Sequence, residues 1–177
     1  MKPIVFTVSI PAEALISQVS EAEEIVEGPD VGIPQLQPLH YYSGRWVGEI
    51  SGKPQLKRKE MAEWILGGRF LRQCWSTEGG DQTAKASGIT MMTFDSDKKL
   101  YLSWSFLAIG SVVHNEGIWD VSSRTMTWTD RLTSTGECVV TKSCFFDDDT
   151  NVWSIVETDA SGNIVRGVDG KSIRRSK

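Results

Sequence analysis

The sequence predicts an all-β fold, a ten-stranded antiparallel up-and-down barrel preceded by a short N-terminal helix. Three observations predict it. From about residue 36 onward, turn signals recur at short, regular intervals between runs of strand-forming residues. The connections are too short for crossover helices, so neighbouring strands must be antiparallel. Many strands carry one polar face, and no later helix is available to cover a sheet, which favours closure over an open sheet.

Ten strands are expected at roughly 44–50, 57–66, 69–77, 85–94, 99–107, 112–120, 124–132, 137–146, 151–158 and 163–173. Ser51-Gly52-Lys53-Pro54, Gly67-Gly68, Glu78-Gly79-Gly80-Asp81, Asp95-Ser96-Asp97 and Val121-Ser122-Ser123 separate the first of them. Ser134-Thr135-Gly136, Asp147-Asp148-Asp149 and Asp159-Ala160-Ser161-Gly162 separate the rest. Gly67-Gly68 is the link a tight hairpin needs, because both positions accept a positive φ. Alternation sorts the faces: Trp46, Gly48 and Ile50 share one, and Ala62, Trp64 and Leu66 another. Leu102, Trp104 and Phe106 share a face opposite Ser103 and Ser105, Met126 lies with Trp128, and Trp153 lies with Ile155. The apolar members are expected to point inward.

Residues 1–34 read as an extension and 35–177 as the barrel. Ile4, Phe6, Val8 and Ile10 alternate as a short strand would. Ala12, Leu15, Ile16, Val19, Ala22 and Val26 then recur at helical spacing behind Pro11, which suits a first helical turn. Glu21, Glu23, Glu24 and Glu27 crowd the end of that helix where its dipole disfavours acids, so it needs an apolar surface to rest on. Gly28-Pro29-Asp30, Gly32 and Pro34 form a linker. The apolar stripe of the helix suits a lid over the barrel mouth or a contact with a second copy.

At 177 residues and 40% hydrophobic content the chain can bury a core without staples. Nineteen basic and twenty-three acidic residues give a net charge of −4, which argues against nucleic acid as a partner. The short basic runs Lys57-Arg58-Lys59 and Arg174-Arg175-Ser176-Lys177 read as an exposed strand edge and a tail. No apolar run approaches a membrane span. Ile4 to Ile10, broken by Thr7 and Ser9, is a poor signal peptide, so the cytoplasm is expected. Cys74, Cys138 and Cys144 cannot all pair within one monomer and are expected as buried or half-buried free thiols.

Chemistry-bearing patterns are sparse. With only His40 and His114, a multi-histidine metal site is hard to build, and no Cys-x-x-Cys occurs. Asp147-Asp148-Asp149-Thr150-Asn151 departs from a calcium loop, having Val152 where glycine is needed and Thr158 where glutamate is needed. The glycine pairs lack the strand–loop–helix context of a phosphate cradle, and no nucleophile elbow occurs. No metal and no cofactor are expected.

Gly44-Arg45-Trp46 at the first strand resembles the short signature of lipocalin-like (calycin) barrels. With it stand Trp64-Ile65-Leu66-Gly67-Gly68-Arg69-Phe70-Leu71, Gly88, Phe94-Asp95-Ser96-Asp97-Lys98-Lys99-Leu100-Tyr101, Trp104 and Gly117-Ile118-Trp119-Asp120. This succession is similar to the bacterial domain-of-unknown-function family 1579, over about residues 36–177. The resemblance implies a lipocalin-like or fatty-acid-binding-like barrel rather than an activity. It also implies that Trp46 plugs the closed end beneath an arginine of the last strand, Arg174 or Arg166, through a cation–π contact. The related nitrobindins bind haem through a histidine near the C-terminus, and this chain has no histidine after His114.

The expected function is binding of a small hydrophobic or amphipathic ligand inside the barrel, without catalysis. Trp64, Met92, Trp104, Phe106, Trp119, Trp128 and Trp153 are the candidate lining, and His114 joins them if Ile118 on its face points inward. Against this stands a barrel simply filled by its seven tryptophans, working as a scaffold through residues 1–34. A third alternative is an enzyme using His114 with Glu116 as its acid–base pair.

Overall fold

The computed structural model describes residues 25–79, 86–132 and 136–175. Its strands are β1 (Gly44–Ile50), β2 (Lys53–Ile65), β3 (Phe70–Glu78), β4 (Ser87–Asp95) and β5 (Leu100–Leu107). They continue as β6 (Val112–Asp120), β7 (Thr125–Leu132), β8 (Glu137–Phe145), β9 (Thr150–Thr158) and β10 (Ile164–Arg175). Each strand pairs antiparallel with the next, and β1 returns to β10 with Trp46 opposite Arg174, closing the barrel. Closure leaves no sheet edge to pair with another chain. The expected tight link between β2 and β3 is present: Gly67 and Gly68 take φ of 64° and 78°, and Leu66 joins them at 54°. Leu66 therefore belongs to the turn and not to the inner face of β2.

One end is shut. The 3-10 turn Pro34–Leu36 and the helix α1 (Gln37–His40) lie across it, a stretch too short for helical periodicity to reveal. Leu36, Leu39 and Tyr42 enter a buried cluster with Trp46, Ala62, Trp64, Leu71, Met126 and Phe145. The chain before the helix is pinned to the same rim. Val26 N–H donates to Trp64 O at 2.9 Å, and Asp30 N–H to Gly68 O at 2.9 Å. Val26 is thus a β-bridge partner and not the last residue of a helix. The helix and strand expected over residues 4–24, with the lid or second-copy contact assigned to them, lie outside the described residues.

Residues two apart on a strand share a face, but the inward face is not always the apolar one. On β1, β2, β7 and β9 the expected residues Trp46, Trp64, Trp128 and Trp153 are buried. On β5 the expectation is reversed: Ser103, Ser105 and Leu107 line the interior. Trp104 and Phe106 therefore point to the outer wall, where Phe106 is 48% exposed. On β6, Val113 and Asn115 face inward, which turns His114 and Ile118 outward. His114 stacks on Trp104, its cross-strand neighbour, with ring centroids 5.4 Å apart. Cys74, Cys138 and Cys144 are free, and Cys74 is exposed rather than buried. Among the described residues no helix is long and apolar enough to cross a membrane.

Candidate functional site

Between the closed-end cluster and the opposite rim, the barrel encloses a cavity of about 280 Å³. Wider concavities exist, and one of about 620 Å³ is an outer groove lined by Glu49, Lys57, Lys59 and Lys171 among others. The interior cavity is different in kind, because its walls converge from nearly every strand.

It is hollow for a local reason. Three indoles face the lumen, from Trp75, Trp128 and Trp153, and each sits opposite a glycine on the neighbouring strand: Gly88, Gly117 and Gly170 respectively. A Cβ on those glycines would stand 2.8, 2.5 and 2.4 Å from the nearest ring carbon. Each ring therefore occupies the space that a side chain would otherwise fill, and lies along the wall instead of across the lumen. Bulky rings and an open interior become compatible.

The indole N–H groups are all engaged. Trp75 Nε1 donates to Thr90 Oγ1 at 3.3 Å, Trp128 Nε1 to Tyr42 Oη at 3.2 Å, and Trp153 Nε1 to Ser172 Oγ at 3.2 Å. Thr90 in turn shares a hydrogen bond with Ser105 at 2.9 Å, and Asn115 Nδ2 donates to Ser103 Oγ at 3.2 Å. Charge enters from β2. Arg58 Nε donates to Glu60 Oε1 at 2.9 Å, and Gln73 Nε2 to Glu60 Oε2 at 2.5 Å. The Arg58 guanidinium lies 4.7 Å from the Trp75 ring centroid and 5.9 Å from that of Trp153, a double cation–π seat. Asn151 Oδ1 is buried without a hydrogen-bond partner.

Of the candidates read from sequence, Met92, Trp128 and Trp153 come together on this cavity. Trp64 and Trp119 lie at the closed end. Trp64 Nε1 donates to His40 Nδ1 at 3.1 Å, and Trp119 stacks on Tyr41 with centroids 5.6 Å apart. Trp104, Phe106 and His114 are on the outer wall, as described. Arg174, rather than Arg166, sits over Trp46, 4.4 Å from its ring. Sequence reasoning missed Arg58, Glu60, Gln73 and Trp75. Yet stepping back by twos from Trp64 through Ala62 reaches Glu60 and Arg58, so their shared face was available from parity alone. Among the described residues no group of three or more His, Cys, Asp or Glu side chains is placed to hold a metal ion.

Tyr42 closes the floor of the cavity. Its burial, with the Glu60 charge adding to it, pushes the phenol up to about 12, against the hydrogen bonds from Ser143 and Trp128. The folded state therefore holds this proton more tightly than the unfolded chain, whose tyrosines ionise near 10. Its contribution, about 3 kcal/mol, should be present in full below about pH 10 and lost as pH rises from there through about 12. Urea unfolding across that range should show the loss, and Tyr42→Phe should reduce it, leaving the share due to Tyr101, whose phenol burial also pushes up to about 12. An identical alkaline profile in both proteins would refute the assignment.

No family model matches the chain, and no curated protein matches it. Among solved structures, the S-type phycobiliprotein lyase CPES from Guillardia theta is similar, with a TM-score of 0.54 and 10% sequence identity. The alignment covers 82% of this chain and 94% of that one. Identity that low shows a shared barrel fold and nothing of the chemistry inside it.

Proposed function

We propose that this protein is a lipocalin-like binding barrel that holds a small amphipathic molecule in its interior without chemistry of its own. The observation that carries the reading is the hollow itself, kept open by three tryptophans seated on glycines and lined by a mixture of apolar and hydrogen-bonding side chains. Met92, Trp128 and Trp153 are the expected ligand contacts from the original set, joined by Trp75 and Arg58. The lining is more polar than a purely hydrophobic ligand would need, which favours the amphipathic choice. An enzyme built on His114 and Glu116 loses support, because His114 stacks on Trp104 on the outer wall. The motif succession around Gly44-Arg45-Trp46 and Trp64-Ile65-Leu66-Gly67-Gly68 supports kinship with family 1579 as part of the same proposal. Three free cysteines accord with a reducing cytoplasm.

Native mass spectrometry of freshly purified protein, compared with the denatured sample, tests this. A retained mass of a few hundred daltons released on unfolding is the expected result. The bare chain mass, together with no uptake of any added amphiphile, would overturn it.

A further inference from the structure

We propose that the ligand is a small amphipathic monocarboxylate whose head is gripped by Arg58, an assignment that rests on reading the interior as a binding site. A guanidinium carries five N–H donors in a rigid fork suited to planar, bidentate recognition of a carboxylate. In Arg58 only Nε is engaged, by Glu60; neither Nη meets an acceptor among the described residues. Glu60 does not compete for the fork, since its other oxygen accepts from Gln73. The fork is also held still. Trp75 and Trp153 flank the guanidinium, and both rings are fixed by their glycines and their N–H bonds. With 24% of its side chain exposed, Arg58 is partly desolvated, where a charge-assisted bond is stronger than at the surface.

Asn151, 8% exposed, lines the same cavity with its unpartnered Oδ1, but an acceptor has no bond to make with an ionised carboxylate, so the grip on the head rests on the Arg58 fork alone. The remaining wall offers Met92, Leu107, Val113, Val139 and Ile155 to an apolar body. The cavity of 280 Å³ equals about nine waters at about 30 Å³ each, which suits a medium-chain acid and not a long lipid. Glu60 already balances the charge of Arg58, which favours a singly charged head over a dianionic phosphate.

Calorimetric titration of the full chain with octanoate and with 1-octanol separates head from body. The parent should bind octanoate about tenfold to a hundredfold more tightly than octanol. The double variant Arg58→Gln/Glu60→Gln, which leaves no charge buried alone, should lose that preference. Near-ultraviolet circular dichroism checks that the variant is folded; if it is not, the acid–alcohol comparison in the parent decides by itself. Equal affinity for acid and alcohol, or a preference that survives in the folded double variant, would overturn the carboxylate assignment while leaving the binding site intact. Binding of neither probe would also overturn it, and the native mass measurement then judges the binding reading separately.

Discussion

Replacing Trp46 with alanine should cost the barrel about 3–5 kcal/mol, the range for removing a buried aromatic side chain. Trp46 is 4% exposed at the shut end, and its indole is fixed on every side. Nε1 donates to the carbonyls of Tyr42 at 3.0 Å and Ser43 at 3.2 Å, tying the segment after α1 to β1. Phe145 meets the ring edge-on with centroids 6.2 Å apart, and the Arg174 guanidinium covers it. Arg174 is itself a clasp: it donates to the carbonyls of Tyr41, Ser43 and Asp148, so it joins the start of the barrel to the hairpin between β8 and β9. Because the two residues are cross-strand partners where β1 meets β10, their contact sits on the seam that closes the barrel. Arg174→Met should therefore destabilise as well, and the double variant should lose less than the sum of the two singles, by about 0.5–3 kcal/mol. Urea midpoints read by far-ultraviolet circular dichroism measure all three. A Trp46→Ala midpoint within about 1 kcal/mol of the parent would show that the seam does not depend on this plug.

The strands were legible because their ends were. Asp-Ser-Asp, Gly-Gly and Ser-Gly-Asn clusters mark turns by backbone chemistry that does not depend on the rest of the fold. Parity within each strand was legible for the same local reason. What parity could not supply was which face is inside. In Leu102-Ser103-Trp104-Ser105-Phe106 either orientation satisfies the pattern, and the apolar-inward assumption chose the wrong one. A hollow barrel breaks that assumption, since serines facing a polar cavity are hydrogen-bonded there, as Ser103 and Ser105 are. Trp104 in turn is covered on the outer wall by His114. The charged core of the site was hidden by a related habit of reading. Lys57-Arg58-Lys59 resembles a solvated run, yet alternation sends the outer lysines to solvent and turns Arg58 alone toward Trp75. The four-residue helix α1 had no periodicity to read, and its packing against the barrel end is a tertiary fact.

Gly117→Ala should both destabilise the protein and close its cavity. The added methyl would stand 2.5 and 2.6 Å from two ring carbons of Trp128 and 3.0 Å from the Cβ of Tyr101. Tyr101 Cβ is anchored to its backbone, so the indole must yield, and it faces the lumen. Moving the ring draws Nε1 from the Tyr42 hydroxyl and forces the core into an overpacked arrangement, at a cost of about 1–3 kcal/mol. It also places ring atoms in the space a ligand would use, so the retained mass should vanish and octanoate binding should weaken by about tenfold or more. Gly167→Ala is the matched control: it lies on β10 with no atom within 4 Å of the added methyl, and its effect should stay within about 0.5 kcal/mol. The pair of outcomes separates two ideas about the tryptophans. If they merely fill the barrel, displacing one ring changes stability alone. If they line a working cavity, stability and uptake fall together. Unchanged stability with unchanged uptake in Gly117→Ala would mean that the indole can move without entering the lumen, and the opposition of Trp to Gly could not be what keeps the barrel hollow.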